Sequence, residues 1–212
     1  MKLQQENKLY SYKMTHASGF APNPYHGILT LATCKPQMRN NTKIGNWIAG
    51  WTSKNMRGCG SKSENKYSTE IVEERLIYLA KVTDKLSYND YWEKHPEKRP
   101  DIYSKVFERR YGDNIYQPSK DDPTGFVQVK NKYHCTKKEK DCDLKSKYVL
   151  ICSEFYYFGI ERSLEIPKEL RPKIPKYQNC YGVITEDATD FINFVRENAD
   201  KCFRSSNKIS VK

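Results

Sequence analysis

Ile44-Gly45-Asn46-Trp47-Ile48-Ala49-Gly50-Trp51 reads as a Gly-Asn turn feeding an apolar strand, because both turn residues accept backbone angles that other side chains resist. Upstream, Ile28 to Cys34 (ILTLATC) is short, β-branched and apolar, the make-up of a largely buried strand that stops at Pro36. Before it, Lys8 to Lys13 (KLYSYK) alternates large and polar side chains, as a strand with one buried face does. Between these two runs lies Gly19-Phe20-Ala21-Pro22-Asn23-Pro24-Tyr25-His26-Gly27, where two prolines fix φ and two glycines free it, so the backbone itself shapes the loop.

Downstream of the deciding stretch, residues 52–70 are Ser, Lys, Asn and Gly with almost nothing to bury, which predicts an exposed, mobile loop. Glu74 to Val82 (ERLIYLAKV) returns to core character as a strand, with a short helix as the competing reading. Ser87 to Lys94 reads as a helix capped by Ser87, with Tyr88, Tyr91 and Trp92 at helical spacing. Gly125 to Val129 is a short strand, Lys130 to Lys147 a charged loop, and Tyr148 to Ile151 a buried strand. Ile166 to Pro175 is extended and punctuated by proline. Thr185 to Cys202 is the clearest helix, with Thr185 as cap and Phe191, Phe194 and Val195 as its apolar stripe. Several short strands followed by one C-terminal helix predict an α+β fold: a twisted mixed or antiparallel sheet, or a small open barrel, with flanking helices. One domain over residues 1–212 is expected, with a disordered tail at 204–212.

The 37 Lys and Arg against 26 Asp and Glu leave a formal charge of +11, which favours a polyanionic partner, although a solvated Lys-rich surface gives the same balance. No apolar run spans a bilayer and the first residues lack the apolar core of a signal peptide, so a cytoplasmic protein is expected, without a membrane partner. Seven Cys include no CxxC pair. Cys135 and Cys142, beside His134, form the one local cluster, and their spacing is poor for a metal knuckle, so no metal site is predicted. Neither G-x-G-x-x-G nor G-x-x-x-x-G-K-[ST] occurs, and no cofactor is singled out.

Leu9-Tyr10-Ser11-Tyr12, the loop Gly19 to Pro24, Cys34-Lys35-Pro36 with Arg39, and Ile44 to Ile48 together resemble the start of the nucleotide modification associated domain of the second type. Gly112-Asp113-Asn114-Ile115-Tyr116 and Phe155-Tyr156-Tyr157-Phe158-Gly159 extend that resemblance over nearly the whole chain. The resemblance implies company with DNA base-modifying enzymes of phages and bacteria, and a nucleic acid or nucleotide as partner. One departure is Gly45-Asn46 where the family pattern has Gly-Asp, which argues for a structural turn rather than a catalytic acid. The rhythm is also similar to EVE and other PUA-like modules, small β-rich folds that bind modified bases.

Asn23, fixed between prolines, can read a base edge or bond its own turn. His26 just beyond is an acid/base or phosphate contact, or an ordinary loop histidine. Lys35 and Arg39, read as one loop after a strand, suit phosphate, as do Lys98 and Arg99; a solvated charge pair is the alternative. Basic residues interleave with Tyr103, Phe107 and Tyr111, which fits a single strand or a flipped base, or an amphipathic helix with its rings inward. With the resemblance, Asp113 becomes a candidate general base with His134 as partner. Trp47, Asn114, Tyr116, Tyr156 and Tyr157 are candidate walls of a base pocket. Ser153 and Cys34 are nucleophiles in residue type only, since neither belongs to a recognisable nucleophile motif. Two functions stay open: a module that binds DNA or a modified base, and a base-modifying transferase or hydrolase.

Overall fold

The computed structural model describes residues 7–54, 56, 72–179, 181–201 and 203–204. In chain order its elements are β1 (Leu9–Lys13), β2 (Leu29–Leu31), α1 (Pro36–Asn41), β3 (Trp47–Trp51), β4 (Leu76–Lys81), β5 (Asp84–Ser87), α2 (Tyr88–Lys94), β6 (Tyr116–Pro118), β7 (Phe126–Gln128), α3 (Lys137–Asp143), β8 (Tyr148–Cys152), β9 (Glu154–Tyr157), β10 (Val183–Thr185), α4 (Thr189–Glu197) and β11 (Phe203–Arg204). Single 3-10 turns occupy Pro96–Lys98, Glu108–Tyr111, Lys168–Leu170 and Ala199–Lys201.

The fold is mixed α+β. A six-stranded sheet runs in the order β10-β1-β3-β4-β9-β11, a three-stranded sheet in the order β2-β8-β5, and β6 pairs with β7. Among the described residues only β1 and β3 pair in parallel, Leu9 opposite Trp47 through Lys13 opposite Trp51; the other pairs are antiparallel. None of the sheets closes into a barrel among the described residues.

The large sheet is covered on both faces, and the period of two along each strand divides its side chains between two cores. Leu9, Trp47, Ala49, Trp51 and Leu79 face Phe191, Ile192 and Val195 of α4, with Trp51 and Phe191 rings 5.6 Å apart. Tyr10, Tyr12, Ile48, Tyr78, Phe155 and Tyr157 face the other way, onto Leu29, Leu31, Leu150 and Cys152 of the small sheet and Met38 of α1. This double cover is why all five residues of β1 are buried, where alternation alone predicts one wet face. It also resolves the dense aromatic run in β9, whose rings serve both layers.

Several local expectations are corrected. Lys130 to Lys147 is not all loop: Thr136 and Glu139 form a reciprocal capping box that starts α3. Thr185 does not cap the C-terminal helix but ends β10; the helix begins at Thr189, whose N–H and hydroxyl both donate to Asp187. Lys35 and Arg39 are not on one loop, because Pro36 opens α1 between them. Of the loop expected at 52–70, Thr52, Ser53 and Met56 are buried, and 55 and 57–70 lie outside the described residues, as do 205–212 of the expected tail. No helix of the described residues is long and apolar enough to cross a membrane.

Candidate active site

The chain leaving β2 is tethered almost residue by residue to buried polar groups. Thr30 Oγ1 and the Ala32 N–H donate to Asp113 Oδ2 at 2.9 and 3.3 Å. Tyr88 donates its hydroxyl to the Ala32 carbonyl at 2.9 Å. The Cys34 N–H donates to Asp143 Oδ1 at 2.7 Å, and the Cys34 carbonyl accepts Arg39 Nε at 2.8 Å. These bonds hold an unusual backbone: Cys34 and Lys35 are successive left-handed residues, φ 58° and 44°, neither of them glycine. Such angles cost roughly 1–3 kcal/mol each and persist only where the surroundings over-determine them, as they do here.

That geometry presents the Cys34 thiol to His134, with Sγ 3.5 Å from Nε2. The other ring nitrogen, Nδ1, bonds Asp143 Oδ2 at 2.5 Å. Tyr116 donates to the same oxygen at 2.7 Å. Asp143 is the last residue of α3, and it is the helix's one buried side chain. Its main-chain carbonyl accepts Arg39 at 2.7 Å and Tyr88 at 3.1 Å, so the carboxylate is held from behind as well. The imidazole is fixed from its own backbone, since the His134 N–H donates to Asn131 Oδ1 at 2.8 Å and its carbonyl accepts Gln128 and Asn131 amides. Thiol, imidazole and carboxylate thus stand in line, the order in which a base held by a carboxylate can activate a sulfur nucleophile.

Burial by itself presses the His134 pKa down, but the bonds to Asp143 and to Cys34 outweigh it and lift the imidazole to about 10. At neutral pH His134 therefore carries protons on both nitrogens, one engaged with Asp143 and one aimed at sulfur. Burial raises the Tyr116 hydroxyl, and the neighbouring Asp143 raises it further, so Tyr116 serves as a neutral donor.

Cys34 and His134 open onto a cavity of about 250 Å³ walled in part by Tyr12, Phe20, Tyr133 and Lys35. This is below the roughly 300–1,000 Å³ of a drug-sized site and suits one ring or one acyl-sized group. Lys35 Nζ lies 4.9 Å over the Tyr12 ring and donates to the Asn179 carbonyl, placing a cation on the wall.

Cys34, His134 and Asp143 are also the group of His, Cys and acidic residues among the described ones whose ligand atoms come within 4.8 Å of one another. Their donor chemistry suits zinc, but their arrangement is a relay rather than a converging set. Asp143 Oδ2 already binds Nδ1 and Tyr116, and Oδ1 binds the Cys34 N–H, so the carboxylate stands behind the histidine, as a supporting residue stands behind a ligand. Cys34 Sγ and His134 Nε2 alone remain to face an ion.

The other sequence candidates are placed as follows. Asp113 is wholly buried, accepting Tyr91 at 2.6 Å as well as Thr30 and Ala32; burial raises its pKa, against the pull of Lys98 and these bonds. The carboxylate that His134 meets is Asp143, not Asp113. Arg39 is fully buried and its guanidinium donates to Cys34, Tyr88, Tyr148 and Asp143, which leaves it inside the protein rather than at a phosphate. Lys98, also fully buried, donates to four oxygens of Asn23, Tyr25 and Ile28, and burial lowers its pKa to about 8. Asn23 is held by that ammonium and by the Tyr111 carbonyl, and Asn114 by the carbonyls of Tyr91 and His95. Trp47 is core, bonded to Asn7. Arg99 stacks on Trp92 at 4.1 Å. His26 is exposed, Tyr156 bonds Glu154, and Tyr157 packs on Tyr78. Of the candidates, Cys34, His134 and Lys35 line the cavity and Tyr116 supports it through Asp143. Asp143 escaped the sequence reading, and its signal was the Thr136/Glu139 capping box.

A family model described as nucleotide modification associated domain 2 matches residues 6–207. Neither the curated proteins nor the solved structures contain a significant match.

Proposed function

The chain belongs to the nucleotide modification associated domain 2 family, and from that premise we propose that it is a thiol-dependent enzyme acting on a group carried by a nucleotide or nucleic acid. The observation that carries this reading is the line from Cys34 through His134 to Asp143, opening on a cavity sized for one such group.

The chemistry that fits is transfer or hydrolysis at an acyl-type carbon, a carbonyl or an amidine. Cys34 sulfur bonds to that carbon while its proton resides on His134. The imidazolium then gives the Nε2 proton to the departing amine as the C–N bond breaks. Water, or an acceptor amine, attacks the thioester-type intermediate and gives its proton to His134 as the C–S bond breaks, which restores the starting pair of Cys34 sulfur and protonated His134. Asp143 holds the tautomer and stabilises the charged ring throughout. The +11 charge of the chain suits a substrate borne on a polyanion.

Incubation with DNA bearing hypermodified bases, followed by nucleoside mass spectrometry and intact-protein mass measurement, tests the proposal. A nucleoside mass change, or a protein adduct on Cys34, that disappears in Cys34→Ala is expected. Salt-sensitive binding with neither change would make the protein a reader of modified DNA instead.

A further inference from the structure

From the cavity an unbroken series of aromatic rings leads to the surface. Phe20 and Tyr133, both on the cavity wall, have ring centroids 5.0 Å apart, and Phe20 lies 5.3 Å from His134. Tyr133 is followed by Tyr111 at 5.8 Å, Tyr111 by Phe107 at 4.4 Å, and Phe107 by Tyr25 at 6.3 Å. The steps from Phe20 to Phe107 are each tilted by 33–35°, so neighbouring rings are nearer to parallel than to edge-on. The outer rings are not core residues: Phe107 is 46% exposed and nearby Tyr103 is 79% exposed.

Cations accompany the rings. Arg110 lies 5.3 Å over Phe107, Lys132 5.0 Å over Tyr111, and Lys130 5.1 Å over Tyr103 while bonding its hydroxyl at 2.7 Å. Residues 101–111 and 130–133 carry Lys105, Arg109, Arg110, Lys130 and Lys132 against Asp101 and Glu108. A core has no use for exposed rings, and a purely solvated face has no use for a graded aromatic path. Together they match a strand whose bases stack on rings and whose phosphates meet lysine and arginine. A paired duplex hides its base faces, and a free nucleotide needs one ring rather than a series.

We infer that the surface formed by Tyr103, Phe107, Tyr111, Lys130 and Lys132 binds single-stranded nucleic acid and leads one nucleotide along the ring series to Cys34. The inference rests on the thiol reading only for its end point; the track stands on its own geometry. It narrows the substrate to a group borne on an unpaired polynucleotide.

The test uses a fluorescein-labelled single-stranded oligothymidylate, a duplex of equal length and thymidine monophosphate, compared by anisotropy and competition. The single strand should bind more tightly than either. Phe107→Ala should weaken it ~10-fold, as expected for the loss of one stacking platform. Lys130→Ala with Lys132→Ala should flatten the log-affinity against log-salt slope by about 1.4, two contacts at the single-strand value. Because these side chains are exposed, the rate at which iodoacetamide alkylates Cys34 should not change in either variant, which also reports that the site is folded. Duplex or monophosphate binding as well as the strand, or unchanged binding in Phe107→Ala, overturns the track and leaves the thiol reading standing. An inert Cys34 in a protein that still binds the strand overturns the thiol reading and leaves the track.

Discussion

Replacing Asp143 by Asn keeps the side chain's shape and removes its charge, which isolates what the carboxylate does. Three donors converge on it: the Cys34 N–H on Oδ1, and Tyr116 and His134 Nδ1 on Oδ2. An amide offers one acceptor oxygen and two N–H donors. With its oxygen toward Cys34, the NH₂ faces Nδ1, which must then accept, so the ring's proton moves to Nε2 and the imidazole is neutral. With the amide reversed, NH₂ meets the fixed Cys34 N–H, donor against donor, at a cost of roughly 1–3 kcal/mol. In the first arrangement sulfur faces the N–H of a neutral ring in place of an imidazolium whose charge stabilises the thiolate, and Cys34 alkylation by iodoacetamide near neutral pH should fall ~10–100-fold. Stability carries a second signature. The folded-state pKa of His134 is raised from 6.5 to about 10, so its contribution is complete below 6.5 and is lost as pH rises to 10. At about 1.4 kcal/mol per pH unit that loss is on the order of 5 kcal/mol in the wild type. It should be much smaller in Asp143→Asn, where burial lowers the ring's pKa and the Cys34 contact is left to raise it without the carboxylate. Lys98, lowered from 10.5 to about 8, works in the opposite sense, adding stability as pH rises from 8 to 10.5, but it is common to both proteins and cancels in the difference. The measurements are peptide-resolved mass spectrometry of the Cys34 adduct and urea unfolding at several pH values. Equal alkylation rates and parallel pH curves for the two proteins would refute the reasoning.

Three further outcomes follow from the same structure. Gly112→Ala places a Cβ 2.2 Å from the Lys98 carbonyl oxygen and 2.6 Å from the backbone of Arg99 and Pro100, so it should destabilise by more than ~3 kcal/mol, read from the urea midpoint; a midpoint unchanged from wild type counts against the packing described. Lys98→Met leaves four oxygens without their ammonium donor and Asp113 without the cation that favours its charged form, with an expected loss of about 3–5 kcal/mol at constant m-value. Because Asp143 is already committed to His134, Tyr116 and Cys34, a chelator should leave the Cys34 alkylation rate unaltered, and a marked acceleration on stripping zinc would favour a metal centre over a thiol site.

How far the sequence discloses this molecule depends on whether a residue's job is local. The Gly45-Asn46 turn and the strand after it were legible because turn angles and apolar alternation act within a few residues, and Trp47, Ala49 and Trp51 duly share one face. The stripe of α4 was legible for the same reason. Cys34, His134 and Asp143 answer to a different constraint. They come from three segments, and the helix that brings the carboxylate has no apolar stripe at all, so periodicity is blind to it. Its start is written only in Thr136 and Glu139, and its single inward residue is a charge. The same logic explains why counting charges misplaced the cationic surface. Arg39 and Lys98 look like phosphate ligands in a list of basic residues, yet each is fully buried and consumed in holding the chain near Cys34 or the loop at Asn23 to Ile28. Burying two cations is costly unless their donors are met, and both are met by backbone oxygens rather than by solvent. The positive charge available to a partner must therefore come from elsewhere, and around the cavity it collects where Arg110, Lys130 and Lys132 lie over exposed or half-buried rings.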